Sequence, residues 1–171
     1  MAELGVPAQA GELRLARLAV VGLGLIGGSF AKGLRDSGCC AEVVGVDLDP
    51  ESCRSAVELG VVDRCESDLA VACAGASLIL LAVPILAMEK LLLQLGKLNL
   101  GQAVLTDVGS TKGSILRAAR RALPGQMTRF VPGHPIAGSE QSGVEASDGE
   151  LFNHHRVILT PCAETDSAAL A

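Results

Sequence analysis

The sequence predicts an α/β domain in which a doubly wound, mainly parallel sheet carries helices on both faces, and three observations predict it. Apolar residues make up 49% of the 171 residues and aromatics only 2%, so the core is built from Leu, Val, Ile and Ala. That composition suits strands buried on both sides. Short apolar runs alternate with stretches of helical spacing along the chain. The connections between them are short, which favours right-handed crossovers between parallel neighbours.

Residues 1–12 read as a flexible lead-in, residues 13–164 as one domain, and residues 165–171 as the truncated start of a linker. "LARLAVVGLG" is an apolar strand that ends in glycines. "LIGGSFAKGLRDSG" follows as a helix, with Leu25, Ile26, Ser29, Phe30, Gly33 and Leu34 on one face and Gly38 as its stop. "AEVVGVD" is the second strand, "ESCRSAVELG" the next helix, and "VVDRCES" a short segment before a small helix from Asp68 to Ala74. The strand "SLILLAV", the helix "ILAMEKLLLQLGKL", the strand "QAVLTDV" and the helix "TKGSILRAARRAL" continue the alternation, and the strands "TRFVPG" and "HRVILT" complete it. In "TPCAETDSAALA" an Asp and a Ser supply helix-start chemistry, yet the chain stops within a turn, so a further C-terminal part is expected.

Composition excludes several classes of function. The net charge is -5, and apart from Arg117, Arg120 and Arg121 the basic residues are scattered, so no nucleic-acid partner is expected. Those three arginines fall in the last turns of a helix, where cations favour the negative end of its dipole. Six cysteines form no CxxC pair and no metal spacing with the three histidines, which fits reduced thiols, no metal and a cytoplasmic setting. The longest apolar run, "ASLILLAVPILAM", contains a proline and is too short to cross a bilayer, and no export leader opens the chain.

The first chemical signal is "VVGLGLIGG", which holds G-x-G-x-x-G at Gly22, Gly24 and Gly27 on a strand-to-helix junction. Gly22 allows the tight turn, Gly24 lets the backbone approach a pyrophosphate, and Gly27 lets the helix sit close to the strand. The amides of the helix start, at Leu25 and Ile26, then face the phosphates. Asp47 ends the second strand 20 residues after Gly27, where a carboxylate accepts from both ribose hydroxyls. It would repel the 2′-phosphate of NADP, and no arginine immediately follows it, so NAD is favoured over NADP. The alternative for Asp47 is to cap the helix after it, a role Asp49 fills equally well. A Rossmann-type dinucleotide-binding domain is therefore expected. Ala82, Val83 and Pro84 sit at a later strand end, on the edge where such sheets bind ligands, although Pro84 also suits a helix start.

"DVGSTKGS" crosses from another strand into a helix. Ser110 reads there either as an N-cap or as a ligand contact. Lys112 in the first turn opposes the dipole unless an anion is near, so it reads as an anion contact or as a solvated lysine. His134, in "FVPGHPIAGSEQSG", reads by itself as a turn histidine or as a functional residue on a loop at a strand end.

Together, "VVGLGLIGGSFAKGLR", "VGVDLDPES", "LAVP", "DVGSTKGSI", "VPGHPIAGSEQSGVEAS" and "LFNHHRVILTP" resemble the prephenate and arogenate dehydrogenases of tyrosine biosynthesis. The resemblance runs in order from about Leu15 to the C-terminus, and HPIAGSE after D-x-x-S-x-K carries most of its specificity. It implies oxidative decarboxylation, prephenate giving 4-hydroxyphenylpyruvate or arogenate giving tyrosine. Hydride passes from the ring carbon that bears the hydroxyl to the nicotinamide, the hydroxyl loses its proton, and the ring carboxylate leaves as CO2. It further implies His134 as the acceptor at the ring hydroxyl and Ser110 as a hydrogen-bonding group near that hydroxyl and the nicotinamide. Ser139 and Glu140, with Lys112, would stand at the substrate loop, and His154 and His155 would be plain loop residues. A helical domain that makes a homodimer and binds the substrate carboxylates would follow this chain, which by itself would bind NAD but turn over poorly. The alternatives are a β-hydroxyacid or imine-type dehydrogenase, which lacks a reason for GHPIAGSE, and a non-catalytic NAD-binding module, which has no need of His134 and Ser110.

Overall fold

The structure, a computed structural model, describes residues 14–170. The expected lead-in, together with Leu13 and Ala171, lies outside them. Strand β1 (Leu18–Val21) is followed by α1 (Leu25–Asp36), β2 (Val43–Val46), α2 (Pro50–Glu58), β3 (Arg64–Cys65), α3 (Leu69–Cys73) and β4 (Leu78–Leu81). The second half runs α4 (Ile85–Leu95), β5 (Val104–Asp107), α5 (Lys112–Ala122), β6 (Phe130–Pro135), β7 (Val157–Leu159) and α6 (Ser167–Leu170). One sheet takes the order β3-β2-β1-β4-β5-β6-β7. Its first six strands are parallel, and β7 alone is antiparallel.

β1 lies between β2 and β4 and is buried along its whole length, which is why it is purely aliphatic. Two apolar layers flank the sheet. One joins alternate strand residues such as Ile79, Leu81 and Leu105 to Leu92, Leu95 and Ile115 of α4 and α5. The other joins Leu18, Val20 and Leu80 to Ala31 and Ala56 of α1 and α2. Phe130 is fully buried at the start of β6, a contribution of roughly 1.5–3 kcal/mol in transfer terms.

Two expectations change. β6 does not stop at Gly133. It continues through His134 and Pro135 because β7 returns antiparallel and pairs Gly133 with Leu159, His134 with Ile158 and Pro135 with Val157. Along α1 the fully buried residues are Gly27, Gly28, Ser29 and Ala31, not the larger apolar ones. Residues 144–149 fold back onto this helix so closely that a Cβ on Gly28 would lie 2.0 Å from Ser147 Oγ, and one on Gly33 2.9 Å from the Gly149 carbonyl oxygen. Ser29 Oγ accepts the Asp148 amide at 2.9 Å in the same contact. Among the described residues no helix is long and apolar enough to cross a membrane.

Candidate functional site

The carboxyl ends of β1, β2 and β4 open onto a cavity of about 1230 Å³. Its floor is the turn from Gly22 to Gly24. Gly22 has φ +99, and a Cβ there would stand 2.4 Å from the Ala82 carbonyl oxygen, so both conformation and close approach require glycine. A Cβ on Gly27 would stand 2.1 Å from the Gly22 oxygen. At Gly24 it would meet nothing within 4 Å; the space it would occupy belongs to the cavity. α1 starts there without a side-chain cap and with no acidic residue in its first turn. Its first amides and the positive end of its dipole are thus left for an anion, and this donor set fits a pyrophosphate.

Asp47, just past β2, lines the cavity. Its Oδ2 accepts the Leu23 amide at 2.7 Å, and its Oδ1 accepts the Asp49 amide at 2.9 Å. Asp49 is the cap of α2, accepting the Glu51 and Ser52 amides, so Asp47 does not cap that helix. With one bond on each oxygen, Asp47 keeps lone pairs for further donors. Beside it Leu48 is 98% exposed and shares the cavity wall with Leu69 and Ala70. The sequence reading missed this apolar shelf; its one signal is a leucine directly after the strand-ending carboxylate. Ala82, Val83 and Pro84 line the opposite wall, with Leu25 and Ile26 at the helix start. Pro84 is also the N-cap of α4, so its helix-start reading holds while the residue lines the cavity.

The far wall is a second feature, one that sequence reasoning anticipated only at Ser139. Ala137, Gly138, Ser139, Gln141, Ser142 and Gly143, the segment after His134, close the cavity on that side. Its distal end is pinned by Val144, which is 1% exposed in the core beneath α1. The signal for it was the run of small residues in "GVEASDG", which matches the glycines of α1.

The β5–α5–β6 corner adjoins this wall. Ser110 is exposed, and its hydroxyl has no hydrogen bond among the described residues; Thr111, not Ser110, holds the N-cap position of α5. Lys112 corrects the expectation of an anionic ligand. Its Nζ meets Asp107 Oδ2 at 2.5 Å and donates to the Gly133 carbonyl, so the anion that offsets its place in the first turn is the chain's own carboxylate. The Asp107 side chain is wholly buried and that of Lys112 is 15% exposed. Burial pushes the Asp107 carboxyl up from its usual range against the pull of Lys112, and burial likewise pushes the Lys112 ammonium down.

His134 is half-buried in β6. Asp107 pairs with Pro132 in parallel register, so His134, two residues on, lies on the same face of the sheet. Its imidazole has no hydrogen-bond partner among the described residues. Val108 and Gly109, which precede Ser110, and Ala137, which follows the histidine strand, reach the cavity. Ser110, His134 and Glu140 stand beside the cavity and do not line it. The structure thus gathers Gly22, Gly24, Leu25, Ile26, Asp47, Ala82, Val83, Pro84 and Ser139 around one space, with Gly27 packed behind the turn and Lys112 turned inward.

Residues 30–171 match the family model of the prephenate dehydrogenase nucleotide-binding domain. The prephenate dehydrogenase of Bacillus subtilis is 36% identical over 155 residues, which are 88% of this chain and 41% of that protein. Among solved structures, prephenate dehydrogenase from Aquifex aeolicus in complex with hydroxyphenyl propionate and NAD+ superposes with a TM-score of 0.84 and 38% identity, over 93% of this chain and 55% of that one. Synechocystis arogenate dehydrogenase gives a TM-score of 0.80 and 35% identity, over 90% and 53%. The chain spans about half the length of these relatives.

Proposed function

The chain belongs to the prephenate dehydrogenase family, whose nucleotide-binding domain it carries, and from that premise we propose that it binds NAD over the glycine turn. The whole protein would then oxidise and decarboxylate prephenate or arogenate in the cytoplasm as a homodimer. The observation that carries the reading is the single cleft in which an uncapped helix start, the open side of Gly24 and the Asp47 carboxylate lie together, with the segment after His134 as its wall.

NAD supplies the hydride acceptor. The chain's own residues do the rest. The first amides of α1 hold the pyrophosphate, and no acidic side chain in that turn opposes it. The spare lone pairs of Asp47 accept the two ribose hydroxyls, while its charge, with Leu48 and Asp49 after it, repels a 2′-phosphate. Leu48, Leu69 and Ala70 offer the adenine an apolar bed. On the other side, the unbonded imidazole of His134 takes the proton of the substrate hydroxyl, a role suited to a side chain whose ordinary pKa lies near neutrality. The free Ser110 hydroxyl hydrogen-bonds beside it. The substrate carboxylates need cations, which the rest of the protein provides.

The test gives the intact protein prephenate or arogenate, each with NAD or NADP, and compares four initial rates of reduced cofactor. NADH formation with at least one substrate, faster than NADPH formation, is expected. No reduced cofactor in any arm, with NAD still bound in calorimetry, would overturn the reaction and spare the binding site. Failure to bind NAD would overturn both.

A further inference from the structure

We propose that Asp107 and Lys112 are positioning residues, a buried clamp that holds the Ser110 turn in fixed relation to His134. The proposal deepens the dehydrogenase reading and rests on it for its catalytic consequence.

Three elements meet at this ion pair. Asp107 is the last residue of β5, Lys112 the first of α5, and Gly133 precedes His134 in β6. One carboxylate oxygen, Asp107 Oδ2, accepts both the Gly109 amide at 2.8 Å and the Lys112 ammonium. The same ammonium donates to the Gly133 carbonyl, the oxygen of the peptide bond that leads into His134. The ion pair therefore closes a ring over Val108, Gly109, Ser110 and Thr111, with Ser110 exposed at its crest, and ties that ring to the backbone of the histidine. The fit is tight on both sides. A Cβ on Gly109 would lie 3.1 Å from Asp107 Oδ2 and 2.5 Å from Ile115 Cδ1, and one on Gly133 would lie 2.9 Å from the Asp107 carbonyl oxygen.

The arrangement is a poor device for stability. Asp107 Oδ1 is buried with no partner among the described residues, and the Asp107 charge is wholly and the Lys112 charge largely withdrawn from water. A pair of apolar side chains of similar shape is often at least as stable as a buried ion pair. β5 and β6 are already joined by their own ladder from Leu105 to Asp107, so the pair is not needed to hold the strands. What it adds is the orientation of the Ser110 turn, the kind of preorganisation that rates depend on steeply.

The experiment compares Lys112→Met with the double variant Asp107→Asn, Lys112→Met in the intact protein. Lys112→Met should lower turnover by about tenfold or more and leave the NAD dissociation constant within about twofold. The double variant buries no charge and should melt at or above the wild-type temperature while turnover stays equally low. Wild-type turnover in the double variant would overturn the clamp, because the pair would then serve folding alone. A second readout needs no catalysis. The chain has three histidines, and in the double variant the His134 ring resonances should move while those of His154 and His155 stay. An unmoved His134 overturns the clamp. If the wild type itself reduces no cofactor, the dehydrogenase reading fails and the His134 resonance alone judges the clamp. Should Lys112→Met fail to fold, the double variant carries both measurements.

Discussion

The two corners of the cleft are built under opposite rules. At the glycine turn, backbone packs against backbone with no slack, and the useful feature is what the residues lack: a Cβ at Gly24, a cap on α1, a carboxylate in its first turn. At the β5–α5–β6 corner the backbone is held by a buried ion pair, and the useful features are two side chains, Ser110 and His134, left without partners. The first corner is a rigid receptor for something every dinucleotide carries. The second, on the reading proposed above, is preorganised for one reacting group. Changes in the first should therefore disturb binding, and folding with it wherever a Cβ would meet protein atoms, while changes at Ser110 and His134 in the second should disturb rate alone.

The largest effect tests the second half of that statement. His134→Asn keeps a polar side chain in the strand but removes the proton acceptor, so turnover should fall by roughly 10²- to 10⁴-fold. NAD affinity, measured by calorimetry on the same protein, should be unchanged. Near-normal turnover would remove His134 from the reaction. Unchanged turnover with weakened NAD would erase the division between the corners.

A smaller effect, but a sharper one, separates two glycines of the same turn. Gly22→Ala places a Cβ against the Ala82 carbonyl at a positive φ, an overpacking and a backbone strain that together cost about 1–3 kcal/mol or more. The melting temperature should drop and NAD binding with it. Gly24→Ala meets no protein atom, so it should melt like the wild type, yet its methyl enters the space of the pyrophosphate and should weaken NAD about tenfold or more. Equal melting of the two variants would show that the turn is not held as rigidly as its contacts imply.

The same contrast governs what the sequence revealed. The alternation of strands and helices, the order of elements and the dinucleotide turn were legible because each depends on residues close in the chain. The small-residue pattern of the turn is its geometry. The misses came from distant partners. His134 belongs to a strand because residues 157–159 pair with it, and nothing near His134 announces that. α1 buries its glycines because a segment that contains Asp148 folds onto Ser29 from 119 positions away. Lys112 in the first turn of α5 read as a contact to an anionic ligand or as a solvated lysine, and it is neither: its partner is Asp107, five residues back on the strand before it. The roles proposed for Ser110 and His134 rest on a family resemblance, since an unbonded serine and histidine have no local signature.

The smallest effect marks the limit of the argument on a single helix. α5 carries two further ion pairs near its far end, Arg121 with Glu89 and Arg120 with Glu164 at 3.0 Å, the latter with side chains 49% and 41% exposed. The Arg120 guanidinium holds the Glu164 carboxyl down to about 2. Since that value is depressed in the folded protein, whatever the pair contributes is present above the ordinary carboxylate range and is lost as the pH falls through about 2. Water screens both partners, so the contribution is slight. Glu164→Gln should leave the urea midpoint at neutral pH within the scatter of repeated measurements, leave turnover untouched, and converge fully with the wild type as the pH falls through 2. A clear loss of turnover would show that the far end of α5 also orients Ser110, and the clamp at its near end would then not be what sets that orientation. On the clamp reading, Lys112 is consequential and Arg120 is not because burial keeps most water from one pair and the other stands in it, although both tie the same helix to the body of the domain.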